Sequence, residues 1–505
     1  MNFKKFKSTL LSSALLLCAS QSYGMQEELT IQQLHQAVAE NKTTFKQTMQ
    51  YYLNRIAELD QKGPKLNSII SINPKALAQA EAADKAFKKT GKLLPLQGVP
   101  VLLKDNVDTQ GLLTTGGSIS LKDNVPNKNA FIAQKMQDAG AIVIAKTNLH
   151  EFAVWGETRS SMLGQTLNPY DLTRTPGGSS GGTGASVASN LGIIGIGTDT
   201  VNSIRSPASA NSLVGLRPTM GLVSRAGIIP YSLTQDTAGP IARTVEDAAK
   251  TLNVILGFDQ QDDLTALAKD IKVDYTKSLK MDGLKDKKIG VLNSFFGTND
   301  VHQSTNEIVR NSIQQMKSAG ANIVELKEPV DADAIVRDIS VHLYDLEDDL
   351  NSYLVDHPKQ KPVKDLKSLI ASGQYDAGIK ANIEKAVTLS KTSDEYKARL
   401  LAREKLQKEI KDLMVKHELD ALIFPHQKRL VVPIGETQVE RNGVLGSVTG
   451  FPSIVVPAGF SSKTETAPIG VPVGVEIFGL PFAEEKLIEI AYSYEQNFPM
   501  RKAPK

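Results

Sequence analysis

The sequence predicts an α/β fold with buried strands. Short apolar runs end at glycine or at a polar cluster, and amphipathic or alanine-rich segments separate them. The third observation is size. A chain of 505 residues, 41% apolar and 22% charged, has ample material for one large core.

The elements follow in order. Residues 28–62 read as amphipathic helices. The run from Asn73-Pro74 to Gly91 is alanine-rich, with proline at a helix start and glycine at its end. Residues 99–103 form a short apolar strand stopped by Lys104-Asp105-Asn106. A helix near 128–138 precedes a strand at 141–145. Residues 181–190 are helical and 192–197 a buried strand. Residues 244–256 form a helix in which Thr244 and Asp247 have capping-box spacing. Residues 258–288, rich in Asp and Lys, read as a solvated connection. A strand at 289–292 and a helix near 305–318 restart the pattern. Residues 330–418 are mostly helical. Strands at 421–424, 453–456 and 471–478 precede a closing helix at 483–496. The expected organisation is a leader at 1–24 and one domain at 25–505, with an inserted, mostly helical lobe at about 330–418.

The leader reads as a secretory signal. Lys4, Lys5 and Lys7 make a basic start, residues 10–18 an apolar run too short to span a bilayer, and Ser22-Tyr23-Gly24 a small-residue cleavage region. The whole chain carries +3. Residues 1–24 hold three lysines and no acid, so the charge falls to zero without them. No basic excess then points to nucleic acid or an anionic membrane. The one cysteine, Cys18, leaves with the leader, so the mature chain is expected to have neither disulfide nor cysteine nucleophile. The expected location is periplasmic or secreted, and no later segment approaches a transmembrane span.

The chemistry concentrates in residues 177–208. Gly177-Gly178-Ser179-Ser180-Gly181-Gly182 opens the stretch, and Gly197-Thr198-Asp199-Thr200-Val201-Asn202-Ser203 closes the strand that follows. A serine hydroxyl is a weak nucleophile until a neighbour takes its proton. None of the seven histidines sits in a comparable setting. A lysine can serve if burial makes a neutral amine available, and Lys104, at the end of an apolar strand, is suitably placed. Ser179 could bridge Ser203 to Lys104. The glycines permit tight turns that gather backbone N–H groups, as a developing oxyanion requires. Two other readings stay open from these residues alone. One is phosphate binding at a helix N-terminus, although no Walker lysine or G-x-G-x-x-G fingerprint is present. The other is a structural turn.

Several motifs in order resemble the amidase signature family. The stretch 176–207 is similar to its signature. Gly98-Val99-Pro100-Val101-Leu102-Leu103-Lys104-Asp105-Asn106 resembles its lysine segment. Residues 145–153, Asn168-Pro169-Tyr170-Asp171, residues 236–247, Thr449-Gly450-Phe451-Pro452 and Gly470-Val471-Pro472 also match. The resemblance covers about 30–255 and 420–497. It implies a large mixed sheet covered by helices on both sides. It further implies Ser203 as acyl-forming nucleophile, Ser179 as bridging serine after a cis peptide bond, and Lys104 as general base. Thr200, Val201, Asn202 and Ser203 would supply the oxyanion N–H groups, with Ser180, Asp199 and Arg205 in support. Lys146 and His150 match family positions and read as structural. No metal or cofactor is implied.

The implied function is hydrolysis of carboxylic amides by an exported enzyme acting on a small-molecule or peptide amide. C-terminal peptide amides are the first expectation. Lipid-like acylamides or esters, or a disabled binding protein of the same fold, are the alternatives. Val201-Asn202 stands where the family usually has two glycines. Val201 is expected to keep negative φ and to narrow the acyl side of the pocket. Residues 155–162 and the 330–418 lobe are where specificity is expected.

Overall fold

The computed structural model describes residues 28–356 and 363–505. The expected leader at 1–24 lies outside the described residues.

Thirteen strands are present among the described residues: β1 Ile69–Ile72, β2 Pro100–Lys104, β3 Ile142–Thr147, β4 Arg159–Ser160, β5 Gly164–Gln165, β6 Ile194–Asp199, β7 Val214–Arg217, β8 Thr237–Ala242, β9 Lys288–Leu292, β10 Asn322–Leu326, β11 Ala421–Pro425, β12 Ser453–Phe460 and β13 Pro472–Phe478. Eleven of them make one mixed sheet in the order β1-β3-β2-β6-β8-β7-β12-β13-β11-β9-β10, and β4 pairs only with β5. Strands β3, β2 and β6 run parallel, as do β10, β9 and β11. The centre, from β6 through β8, β7, β12 and β13 to β11, is antiparallel. Helices surround the sheet, as expected of the fold class.

The helices form where their end signals predict. Ala76–Thr90 stops at Gly91, whose φ of 63° is the left-handed cap that glycine adopts without strain. Helix Val245–Ile255 starts at Thr244, whose hydroxyl accepts from the Asp247 N–H at 3.1 Å. The second half of the expected capping box is diverted. The Asp247 carboxylate accepts the Ile31 N–H instead, at 3.1 Å, and so ties the first helix, Ile31–Ala39, to this one.

Two sequence expectations change. Residues 258–288 are no plain solvated connection, because Ala268, Tyr275 and Leu284 bury into the main core beneath the charged surface. Strands β1, β4, β5, β7, β8 and β10 are additional. β8 carries Pro240 in mid-sheet, opposite Ile196, and a proline there argues against a central strand from sequence. β10 is an edge strand whose mixed Asn-Ile-Val-Glu-Leu composition hides it.

Within the range 330–418, expected to be mostly helical, the described residues form the helices His342–Asp356, Leu366–Ser372, Lys380–Ala386 and Asp394–Lys416. Their Leu346, Leu350 and Ile383 share an apolar cluster with Phe152, Val154 and Tyr231. Phe152 and Val154 follow β3 and Tyr231 precedes β8, so these helices pack on loops that flank the C-terminal ends of β2 and β6.

Candidate active site

Parallel strands β2 and β6 lie side by side and end at Lys104 and Asp199. Their loops therefore open at the same sheet edge, where α/β proteins place their sites. The glycine-serine loop reaches this edge, where Ser179 meets Lys104, and begins the helix Gly181–Ala188.

The glycines of that loop are needed for close approach more than for freedom. Only Gly177 has a left-handed backbone, with φ of 70°. A Cβ on Gly182 would stand 2.2 Å from the Asn148 carbonyl oxygen. The Gly178–Ser179 peptide is cis, as the family resemblance implies.

Lys104 is fully buried. Its Nζ lies 2.8 Å from Ser179 Oγ, 2.8 Å from Thr198 Oγ1 and 3.4 Å from the Thr198 carbonyl oxygen. Burial lowers its pKa to about 7, against the opposite pull of Asp199 and Asp236. About half of such a group is a neutral amine at pH 7. A neutral amine has two N–H donors and one lone pair. Thr198 offers two acceptors, its carbonyl and its hydroxyl, and the hydroxyl is oriented by Asn106 Nδ2 at 3.1 Å. The lone pair is then left for the Ser179 hydroxyl.

Ser203 is buried and its Oγ makes no hydrogen bond among the described residues. The two serine loops meet through the backbone, where the Ser180 N–H donates to the Ser203 carbonyl at 3.3 Å. The structure thus joins Lys104 to Ser179 directly and places Ser203 against the same loop, without a bond between the two serine hydroxyls. The N–H groups of Thr200, Val201, Asn202 and Ser203 likewise donate to no protein acceptor among the described residues. That leaves four consecutive donors in one turn, an arrangement suited to an oxyanion. Val201 and Asn202 keep negative φ. The Val201 side chain packs against the apolar cluster around Phe424 and Val444.

Ser180, Asp199 and Arg205 bond to the backbone in and beside this turn. Ser180 Oγ donates to the Thr198 carbonyl at 3.2 Å. Asp199 accepts the Ile204 N–H at 3.0 Å and pairs with both Arg205 and Arg217. Burial would raise the Asp199 pKa, but the two guanidinium groups hold it well below the usual carboxylate range. Arg205 bonds Asp199, Glu476, Ser447, Ser453 and the Val201 carbonyl. Burial opposes its charge, yet the two carboxylates raise its pKa. Glu476 in turn meets His426 Nδ1 at 2.7 Å.

Lys146 and His150 bond to the backbone around these loops. Lys146 Nζ donates to the carbonyls of Val107 and Leu113, and pairs with Asp105 at 3.3 Å. His150 accepts the Glu157 N–H at its Nδ1, while its backbone N–H donates to the Ser179 carbonyl. Burial pushes its pKa down to about 3, so it is neutral.

Sequence reasoning did not single out Thr198, Asp236, Gln235 or Ser447. Asp236 accepts the Thr200 hydroxyl at 2.5 Å, and Gln235 Nε2 donates to the Thr200 carbonyl at 3.1 Å. Burial raises the Asp236 pKa to about 6. The place of Asp236 in the 236–247 motif is the available signal. A small cavity lined by Asn106, Thr198, Thr200, Tyr231 and Asp236 adjoins the turn. No cluster suited to a metal ion occurs among the described residues.

The family model described as Amidase matches residues 47–488. A probable amidase of Arabidopsis thaliana is 35% identical over 516 aligned positions, covering 98% of this chain and 94% of the relative. The solved native peptide amidase of Stenotrophomonas maltophilia superposes with a TM-score of 0.86 at 36% identity, covering 95% of this chain and 98% of that one. The solved amidase family protein of Bacillus anthracis superposes with a TM-score of 0.82 at 34% identity, covering 94% and 92%.

Proposed function

The chain belongs to the amidase (amidase signature) family, hydrolases that act on carbon–nitrogen bonds, and from that premise we propose that it cleaves C-terminal peptide amides through a Ser203 acyl-enzyme. The observation that carries this is the buried contact of Lys104 Nζ with Ser179 Oγ at 2.8 Å. Neutral Lys104 takes the Ser179 proton as Ser179 takes that of Ser203. Ser203 Oγ attacks the amide carbonyl, and the N–H groups of residues 200–203 receive the negative oxygen. Lys104 returns the proton through Ser179 to the departing amine. A water, activated by the same relay, then releases the acid and regenerates Ser203. The peptide-amide substrate is supported by the likeness to the peptide amidase.

The test is a panel of peptide amides, aryl amides and long-chain acylamides. Wild type is expected to turn over peptide amides fastest, and Ser203→Ala to lose at least about three orders of magnitude. Activity retained in Ser203→Ala would overturn the mechanism. A preference for long-chain acylamides would overturn the substrate.

The same proposal includes export by way of residues 1–24, supported by the basic start and apolar run. Mass spectrometry of the native protein should find a chain beginning near residue 25. An intact N-terminus would contradict export by cleavage.

A further inference from the structure

Arg441 stands outside the machinery described so far. Its side chain is partly buried, yet it makes no hydrogen bond or ion pair among the described residues. The contrast with Arg205 is sharp, because that guanidinium spends its donors on five partners. The Arg441 guanidinium instead lies over the Trp155 ring, 4.7 Å from its centre. Glu157, the nearby carboxylate, attracts it without direct contact. Glu157 Oε1 accepts from Trp155 Nε1 at 2.8 Å and from the Gln438 N–H at 2.7 Å.

The position is close to both catalytic loops. A Cβ built on Gly156 would stand 2.6 Å from Arg441 Nη1, so the guanidinium rests on that backbone. The Gly156 carbonyl oxygen in turn stands 2.7 Å from the Cβ position of Gly178, the residue before Ser179. Two residues beyond Arg441, the Cβ position of Gly443 lies 2.9 Å from Asn202 Cβ. Arg441 therefore sits where the glycine-serine loop and the 200–203 turn converge. The buried His150 Nε2 and Tyr231 hydroxyl both lack hydrogen-bond partners among the described residues, and the positive charge of Arg441 acts on both side chains.

A guanidinium desolvated with its donors unspent is costly to hold, and an anion from outside would satisfy it. We propose that Arg441 is a specificity-determining residue that receives a carboxylate carried by the amide substrate. A planar guanidinium fixed over an indole is preorganised for a two-point bond to a carboxylate. This rests on the reading of the Ser203 site as amide-cleaving and narrows its substrates to amides bearing a nearby negative charge.

The probes are dicarboxylic half-amides and acidic peptide amides, each against the neutral amide of matching length. Calorimetric binding to the Ser203→Ala protein is read beside wild-type kcat/KM. The anionic member is expected to bind roughly ten- to a hundredfold tighter and to show the lower KM. Arg441→Gln should collapse that ratio towards one, and Arg441→Lys should restore part of it. A purely structural role would lower stability without moving the ratio. Equal binding of the pair, absent binding of both, or a ratio unmoved by Arg441→Gln would overturn the inference. An anion preference in binding without turnover by wild type would support the inference while refuting amide cleavage.

Discussion

Lys104→Met is expected to cut amide turnover by about three orders of magnitude while leaving the fold at least as stable at pH 7. The side chain is fully buried and has no carboxylate in direct contact, so its charge is a cost to the folded state. Its folded pKa of about 7 lies below the ordinary value of 10.5. Between those two pH values the unfolded chain holds the proton and the folded chain does not, so this group makes stability rise with pH across that window. Methionine removes that dependence and keeps the volume. A loss of activity in a stable variant therefore reports the base.

The kinetics carry a matching signature. In the proposed mechanism the neutral amine is the working form, so kcat/KM should rise with pH and level off above an apparent pKa near 7. Asp236 stabilises protonated Lys104, so Asp236→Asn should move that rise to lower pH. A flat profile from pH 5 to 9, or a shift to higher pH in Asp236→Asn, would contradict this account.

Arg205→Met is expected to destabilise the protein by about 3–5 kcal/mol, because it takes the shared guanidinium away from two buried carboxylates. Asp199 keeps Arg217, while Glu476 loses its guanidinium and keeps its contact with His426. The Val201 carbonyl would retain only the Ser447 hydroxyl, so the 200–203 turn should loosen and kcat should fall with stability. Arg205→Lys should not rescue it, since one ammonium cannot span Asp199, Glu476 and the Val201 carbonyl. The midpoint of chemical denaturation measures the effect. A change under about 1 kcal/mol would show that the network does not hold the turn.

Much of the site is legible in the sequence because its residues cluster on short loops. Lys104, Ser179 and Ser203 lie on segments with plain local signals: a strand end, a glycine-serine turn and a strand-to-helix turn. What composition cannot convey is depth. The strand end at Lys104 suggests partial burial, and the sheet buries the side chain completely, which is what brings its pKa near neutrality. Residues that act across the sheet are harder to see. Ser447, on the helix Val444–Thr449, lies 248 positions from Asp199, and Glu476, on β13, lies 271 from Arg205, so only the folded chain brings these pairs together. Strand β8 is hidden for a local reason, the proline at its centre, although its motif is visible. Asp247 shows the reverse case. Its capping spacing is real, but a long-range donor claims the carboxylate.

The central claim is that Ser203 is the nucleophile and that Ser179 and Lys104 activate it. Intact-mass measurement after treatment with a fluorophosphonate probe tests it most directly. Wild type should gain one adduct, Ser203→Ala none, and Ser179→Ala the same adduct at a much slower rate. An adduct that persists in Ser203→Ala would contradict the account.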